Sequence, residues 1–350
     1  MFVPELRSLS DFTLADLEGI RVLLRGGSVV DWHRLNFADE IEAEAFVRAQ
    51  EIEPNGDGDG DAARITQVKE AAIDYLRRHF DFPVPKPVAK KDLVGLLMLA
   101  SSKGHRQVCA CAILKVMHII HHLEARELHF LLPTADEEVF QWVEQKVYRV
   151  MAAALANDFP ILEFIGGRKN RNSLYTKLLS KPDVSASQIY DKVRFRIVTR
   201  VARDIFPVLN YVQRSIVPFN FVIPGQSTNT LARFHDYCRS EPALATLIPK
   251  LQLPLDLEDE LSAIDNRFTA PSYRIVHFVA DVPVRVPDKV LAAGLPATAA
   301  LGHTIFVQTE FQVLDRATDE SNEAGDASHQ AYKERQKLAV MHRLKVGRFS

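Results

Sequence analysis

The sequence predicts an α+β protein in which an all-helical first part precedes a mixed β-sheet with helices packed on it. Up to about residue 155, apolar residues recur at helical spacing and no strong strand pattern occurs. After that point, segments that alternate apolar and polar residues appear between helical segments. Strands interleaved with helices favour one sheet that carries helices on its faces.

Length, charge and cysteine content narrow the class of protein. The chain has 350 residues, which is enough for two domains of ordinary size. Its formal net charge of -2 provides no global basic field, so any binding to polyanions requires a local patch. Three cysteines do not suggest a disulfide framework. Since no run approaches the roughly 20 apolar residues of a membrane helix, we expect a cytoplasmic protein without a membrane partner.

The first part reads as a helical module of unknown role, over residues 1–155. Thr13 can cap a helix over Leu14 to Leu24, which Gly26 and Gly27 would end. The proline-rich segment 83–87 is expected to connect helices without being helical itself. Further helices are predicted over Phe37 to Ile52, Ala63 to Phe80, Lys91 to Ser101, Gln107 to Leu123 and Asp136 to Asn157.

The second part, residues 156–345, is predicted to form the sheet domain. Its strands are expected at Pro160 to Ile165, Asp191 to Thr199, Val217 to Ile223, Tyr273 to Val286 and Ile305 to Leu314. Its helices are expected at Val201 to Ser215, Thr228 to Pro249 and Ser328 to Leu344. The boundary between the two parts is placed near residue 155.

Two carboxylates and a basic cluster provide what a phosphoryl-type transfer requires. Asp191 opens one predicted strand and Glu310 lies within another, so the two could face one Mg²⁺ ion and carry the catalytic chemistry. Arg168, Lys169 and Arg171 follow the first strand, where positive charge could neutralise a triphosphate. The pattern therefore predicts a magnesium site beside a phosphate site.

The helix after this basic cluster adds two polar side chains to the predicted phosphate site. Ser173 and Lys177 are four residues apart, which places them on one face of the helix. The amino terminus of the helix itself favours a phosphate.

Five segments together resemble the motifs of RelA/SpoT-type alarmone synthetases. GGRKNRNSLYTKLLSK is similar to the ATP-binding signature of that family, in which a basic cluster precedes a serine and a lysine four residues apart. The other four resemble the metal-aspartate strand, the YQSLH element, the ExQ element and the closing HWxYK helix of the family. They are Asp191 to Arg196, Tyr273 to His277, Glu310 to Gln312 and His329 to Lys333. All five occur in the family's order over residues 161–335.

The resemblance implies a nucleotidyltransferase fold of the RelA/SpoT synthetase type that transfers pyrophosphate from ATP to the ribose 3′-hydroxyl of a guanine nucleotide. It implies Mg²⁺ as the cofactor, held by Asp191 and Glu310, with Glu310 also placed to take the proton of the acceptor. Arg168, Lys169 and Lys177 would contact the phosphates of ATP.

The acceptor end of the predicted site also follows from the resemblance. Tyr273 would stack on the acceptor base, and His277 or Arg196 would contact the acceptor phosphates. Gln312 would also bind the acceptor.

The sequence departs from the family pattern at several positions, and alternatives remain open. Gly167 stands at the position of the family's first arginine. Pro271 and Ser272 stand where the family has an Asn-Gly pair, and Leu314 stands where it has an arginine. One alternative is toxin-like pyrophosphorylation of tRNA 3′ ends. This requires one basic track made by Lys192, Arg194, Arg200, Arg203 and Arg214. Another is a non-catalytic nucleotide-binding or regulatory module. The helical part could support a homo-oligomer or bind a regulatory partner.

Overall fold

A computed structural model describes residues 6–27, 30, 32–53, 61–181, 192–251 and 268–345. Within these residues the chain forms a mixed five-stranded sheet surrounded by helices, which confirms the predicted α+β class.

The described helices are α1 (Leu14–Arg25), α2 (Glu40–Ala49), α3 (Asp61–Phe80), α4 (Lys86–Ala89), α5 (Leu93–Ala100), α6 (His105–Leu131), α7 (Asp136–Ala156), α8 (Arg171–Ser180), α9 (Ile205–Ser215), α10 (Phe234–Ser240), α11 (Asp288–Ala292), α12 (Arg316–Asn322) and α13 (His329–Arg343). The described strands are β1 (Ile161–Arg168), β2 (Val193–Thr199), β3 (Thr228–Asn229), β4 (Val276–Arg285) and β5 (Thr304–Asp315).

Local sequence signals set both ends of α1, as predicted. The Thr13 side chain accepts a hydrogen bond from the main-chain N–H of Asp16, which satisfies a donor in the first turn. Gly26 ends the helix in the left-handed conformation, with φ of 62°. A residue with a side chain would be strained there, because its Cβ would approach the backbone.

The sheet has the order β1-β2-β5-β4-β3, so β5 lies at its centre. β5 pairs in parallel with β2 and antiparallel with β4. Because side chains alternate across a strand, each strand contributes one set of side chains to each face.

One face of the sheet is apolar and forms the main hydrophobic core. Phe195, Phe278 and Phe311, one from each of three neighbouring strands, are fully buried, with ring centroids 5.2 and 5.8 Å apart. Buried residues of α1, α7 and α9 join the same core. Residue 155 therefore lies where α7 ends and the sheet begins, whereas the hydrophobic core extends across that point.

A second hydrophobic core lies among α2, α3, α5 and α6, within the helical part. Among the described residues, α6 is a helix long and apolar enough to cross a membrane by length and composition, with a mean hydropathy of 1.4 over 18 residues, of which 44% are buried. In this structure α6 packs against α3, α5 and β5.

Three local predictions are wrong. The predicted strand at Val217 to Ile223 contains a 3-10 turn over Phe219–Phe221, and Val222 alone bridges to β4. The predicted helix from Thr228 to Pro249 begins instead as the short strand β3, and only Phe234–Ser240 is α-helical. Segment 83–87 does contribute to a helix, because Pro87 occupies the first turn of α4, where its missing N–H costs nothing.

Candidate active site

The second face of the sheet is polar at its centre and contains the candidate residues Arg196, His277, Glu310 and Gln312. Arg194 of β2 pairs with Glu310 of β5, and Arg196 pairs with Gln312. His277 of β4 pairs with Gln312 from the other side. Paired residues project to the same face, so the two arginines, Glu310, Gln312 and His277 share one surface.

Glu310 lies near the centre of this surface and is only 7% exposed. Its Oε1 atom accepts a hydrogen bond of 2.6 Å from Gln312 Nε2 and lies 3.3 Å from His277 Nε2. A buried carboxylate needs such polar partners to offset the loss of hydration. The two contacts hold this carboxylate in one orientation, as a site for a metal ion or for proton transfer requires.

Helices at both ends confine the polar face. Toward the start of β5, His122 of α6 stacks on Phe306 and its Nε2 lies 3.2 Å from Asp281 Oδ2. Toward the end of β5, Arg196 makes an ion pair with Asp319 of α12. The open part of the face therefore lies between α6 and α12, around Glu310 and the exposed Arg194.

Tyr273 lies just before β4, in a turn anchored to α12. Asn322 accepts a hydrogen bond from the N–H of Arg274 and donates one to its carbonyl oxygen, which fixes the turn. Burial raises the pKa of Tyr273, and the Glu310 carboxylate acts in the same direction, whereas Arg196 opposes it. Tyr273 therefore remains a neutral phenol at physiological pH and lies near the charges of this face.

The end of β1, the two residues after it and α8 carry the predicted phosphate-binding residues. Asn170 caps α8 by accepting a hydrogen bond from the N–H of Ser173, and the N–H of Lys169 donates to the carbonyl oxygen of Lys192. Arg171 is exposed and Lys177 is partly buried. The helix α8 packs on α13, where Gln336 donates to Ser180. The family-like segments thus come together around one sheet.

Arg168 is an exception, because it lies on the opposite face of the sheet. Its guanidinium donates two hydrogen bonds of 2.7 Å to the Glu144 carboxylate of α7. This hydrogen-bonded carboxylate raises the pKa of Arg168. Contact with ATP phosphates would require Arg168 to leave Glu144, so the structure does not bring it together with Glu310.

Asp191 lies outside the described residues, so its predicted contact with Glu310 stays a prediction. Within the described part of the chain, no group of three or more His, Cys, Asp or Glu side chains could hold a metal ion. Glu310 alone offers one carboxylate, and Mg²⁺ is typically held by one or two carboxylates together with substrate phosphates and water. The carboxylate oxygens of Glu310 are therefore suitable ligands for a magnesium ion whose other ligands come from substrate phosphates and water.

The basic track required for tRNA is not continuous in the described structure. Arg200 and Arg203 make ion pairs with Asp158 and Glu241. The Arg214 side chain is only 15% exposed and lies beside Asp16 of α1.

Sequence reasoning missed Asp319 as a partner of Arg196. Its position in α12 gave no signal, because acidic residues such as Asp319 and Glu320 on a charged helix are typical of a solvated face. Arg194 was assigned only to the basic track, although its alternation with Arg196 already indicated that both project from one face of β2.

Comparisons with known proteins show similarity of fold only. No protein-family model matches the chain, and no curated protein matches it. Solved structures do match. The fold is similar to that of small alarmone synthetases.

Three such structures illustrate the extent of the match. Small alarmone synthetase 2 from Bacillus subtilis is 15% identical, with a TM-score of 0.29, over 59% of this chain and 91% of that chain. Small alarmone synthetase 1 from Bacillus subtilis, bound to its product pppGpp, is 15% identical, with a TM-score of 0.32, over 58% and 85%. A GTP pyrophosphokinase family protein from Streptococcus pneumoniae is 12% identical, with a TM-score of 0.31, over 60% and 88%.

Proposed function

We propose that the chain is a cytosolic, Mg²⁺-dependent pyrophosphokinase that transfers pyrophosphate from ATP to the ribose 3′-hydroxyl of a guanine nucleotide. The observation that carries this proposal is the buried Glu310 carboxylate, which is oriented by His277 and Gln312 on the same sheet face as Arg194 and Arg196. The order of the family-like segments along the chain supports the same reaction.

In this proposal Glu310 takes the proton of the acceptor hydroxyl. The hydroxyl oxygen forms a bond to the β-phosphorus of ATP, and the bond from that phosphorus to the oxygen bridging the α- and β-phosphates breaks. AMP leaves with the electron pair of that bond. A carboxylate whose other contacts are fixed is suited to this role, because it need not reorganise when it accepts the proton.

Positive charge around Glu310 would bind the two nucleotides. Lys169 and Lys177 would contact the phosphates of ATP, with Ser173 and Arg171 beside them at the start of α8. Arg194 and Arg196 project from the strand next to Glu310 and would contact the acceptor phosphates. Tyr273 would stack on the acceptor base, for which its neutral ring is suited.

Magnesium would be held by Glu310 and Asp191 together with phosphate oxygens. When bound, it would neutralise the charge that develops on the transferred group.

Two other functions are compatible with the same face. Pyrophosphorylation of tRNA 3′ ends is less supported, because three of the five basic side chains that would bind the tRNA, Arg200, Arg203 and Arg214, lie beside carboxylates of the protein. A non-catalytic nucleotide-binding module is favoured by one observation, namely that Arg168 and Arg196 are both held by carboxylates of the protein.

The proposal is tested by incubating the purified chain with ATP labelled on its γ-phosphate, Mg²⁺ and GDP, GTP or deacylated tRNA. We expect label in a guanosine polyphosphate. Glu310→Gln should slow transfer by about 100-fold or more, because a general base contributes about 10² to 10⁴ to the rate. The matched control is Glu320→Gln, since Glu320 is an exposed carboxylate of α12 that makes an ion pair with Arg316 on the same helix.

Circular dichroism of both variants checks that the fold is retained. If the label appears only in tRNA, the acceptor is tRNA and not a guanine nucleotide. Nucleotide binding without turnover would favour the non-catalytic module. A Glu310→Gln variant as active as Glu320→Gln would refute the assignment of the base.

A further inference from the structure

Three basic side chains without partners lie beside the sheet face that contains Glu310. Arg194 projects from β2, whereas His329 and Lys333 belong to the first two turns of α13. All three are exposed, and none of them makes an ion pair or a side-chain hydrogen bond within the described structure. Arg194, His329 and Lys333 form the α13 cluster. No step of the proposed transfer reaction uses His329 or Lys333.

The chain brings the start of α13 to β2. Asp319 of α12 makes an ion pair with Arg196 of β2, and residues 323–328 alone separate α12 from α13. Partial burial lowers the pKa of His329, and the positive charges of Lys333 and Arg194 lower it further. The members of the α13 cluster are therefore close enough to act on one another.

These charges are unfavourable as long as the cluster is empty. Of the charges that shift the pKa of His329, three are positive and one, that of Glu323, is negative. Asp319 neutralises Arg196, which leaves Arg194 and Lys333 against Glu323. The first turn of α13 contains no acidic residue, and the positive end of a helix dipole disfavours further cations. The charge around His329 therefore favours an anion.

The α13 cluster and Tyr273 border the same space. Burial raises the pKa of Tyr273, and Arg194 and Glu323 are among the charges that also act on it. The same two residues act on His329. Glu310 acts on Tyr273 as well, and it pairs with Arg194 across the sheet. An anion bound at the cluster would thus lie beside both the tyrosine ring and the Glu310 carboxylate.

We propose that the α13 cluster binds the 5′-phosphates of the acceptor and so selects nucleoside di- and triphosphates. This inference rests on the proposed function, in which Tyr273 holds the acceptor base and Glu310 contacts the ribose hydroxyl. Arg194 and Lys333 make charge-assisted contacts with phosphate oxygens, and His329 donates a hydrogen bond to them.

The number of donors sets the selectivity of this site. A nucleoside monophosphate offers a single phosphate to three basic side chains and leaves part of the cluster without a partner. The terminal nucleotide of a tRNA carries a single 5′-phosphodiester, which has less charge still. The α13 cluster therefore favours a free nucleotide polyphosphate over a tRNA 3′ end as the acceptor.

The test measures the affinities of the purified chain for GTP, GDP, GMP and guanosine. Each competes with labelled GDP in equilibrium dialysis, without ATP, so that no transfer occurs. We expect GDP to bind at least about tenfold more tightly than GMP, because one charge-assisted contact corresponds to about that factor. Guanosine should bind most weakly.

Two variants locate the phosphates. Lys333→Gln should reduce the preference for GDP over guanosine about tenfold and leave the affinity for guanosine unchanged. His329→Ala should reduce that preference about fivefold, because a neutral imidazole donates an uncharged hydrogen bond. A residue that only supports the fold would change the affinities for both ligands alike.

Lys337→Gln is the matched control. Lys337 is an exposed lysine one turn further along α13, beyond the cluster. The variant removes the same charge from the same helix and should keep the preference of the parent for GDP. An equal loss in Lys337→Gln and Lys333→Gln would overturn the proposal, because the total charge of α13 would then be the cause.

The proposal is also overturned if GDP binds the parent no more tightly than guanosine, or if folded Lys333→Gln and His329→Ala both keep the preference of the parent. These outcomes are distinct from those of the transfer assay. A chain that shows the expected preferences but transfers no pyrophosphate supports the phosphate site, although the proposed function then fails. A chain that transfers pyrophosphate while both variants bind as the parent does refutes the phosphate site alone.

Discussion

The buried Lys146 of α7 connects three parts of the chain, and its removal should weaken the fold measurably. Its Nζ atom lies 2.7 Å from Glu51 Oε1, after α2, and donates a 2.8 Å hydrogen bond to the carbonyl oxygen of Pro283 in β4. The Lys146 side chain is 7% exposed and that of Glu51 is 19% exposed. Burial lowers the pKa of Lys146, and the Glu51 carboxylate opposes that effect.

Lys146→Met keeps most of the side-chain volume and removes the charge. Breaking a buried pair by removing one partner costs about 3 to 5 kcal/mol, because the other charge stays buried. Water reaches part of Glu51, so we expect a smaller loss in the free energy of unfolding, about 2 to 3 kcal/mol. In a Glu51→Gln background the same substitution leaves no charge behind and should cost about 1 to 2 kcal/mol less.

The assay is urea unfolding of the parent, both single variants and the double variant. Circular dichroism and tryptophan fluorescence are both recorded, because a free energy is defined only if the two transitions coincide. The reasoning is refuted if Lys146→Met unfolds within about 0.5 kcal/mol of the parent. It is refuted equally if the two substitutions are additive, since the ion pair would then contribute nothing.

Two further predictions concern pH and Arg168. Burial lowers the pKa of His121 to about 4, so its protonation favours the unfolded chain below the ordinary imidazole pKa. Lowering the pH from 7.5 to 5 should therefore cost at most about 2 kcal/mol through this group. Urea midpoints at the two pH values should differ less for His121→Leu than for the parent, and equal differences would exclude His121 as the cause. Arg168→Ala should cost less than about 1 kcal/mol and leave the KM for ATP unchanged. Lys169→Ala should raise the KM for ATP. A comparable rise in KM for Arg168→Ala would show that Arg168 does contact ATP.

The longest strands could be predicted from the sequence because one of their faces is largely apolar. The alternation in Ile305 to Leu314 predicted β5 to within one residue at each end. The prediction from Tyr273 began β4 three residues early, because hydrogen bonds from Asn322 hold the preceding residues in a turn. That anchor lies about 50 residues further along the chain, so no local pattern contains it.

Side-chain hydrogen bonds to the backbone explain the predicted helix that did not form. Asn229 accepts from the N–H groups of Leu231 and Ala232, and Thr230 exchanges hydrogen bonds with Ile275. Asn and Thr compete with helix formation in this way. In the strand predicted before it, Pro218 lacks an N–H and the apolar residues are buried within a turn.

The candidate site was only partly predictable, for a related reason. The sequence identified Glu310, Gln312 and His277 as separate motif positions. It could not predict that His277 contacts the Glu310 carboxylate, because the register of β4 on β5 sets that distance. Arg168 was assigned to the phosphates from its place in the basic cluster, whereas strand alternation directs it to Glu144.

The central position of β5 has a consequence for how the chain reaches its folded state. β5 begins at Thr304, yet its parallel partner β2 ends about 100 residues earlier, at Thr199. During synthesis β2 cannot pair with β5 until the ribosome has released β5. Until then the apolar side chains of β2 lack their contacts with β5. Contacts so distant in sequence slow folding and prolong the exposure of unpaired strand edges. The helices α1 and α7 emerge earlier and pack on the same core, so they can shield β2 during that interval.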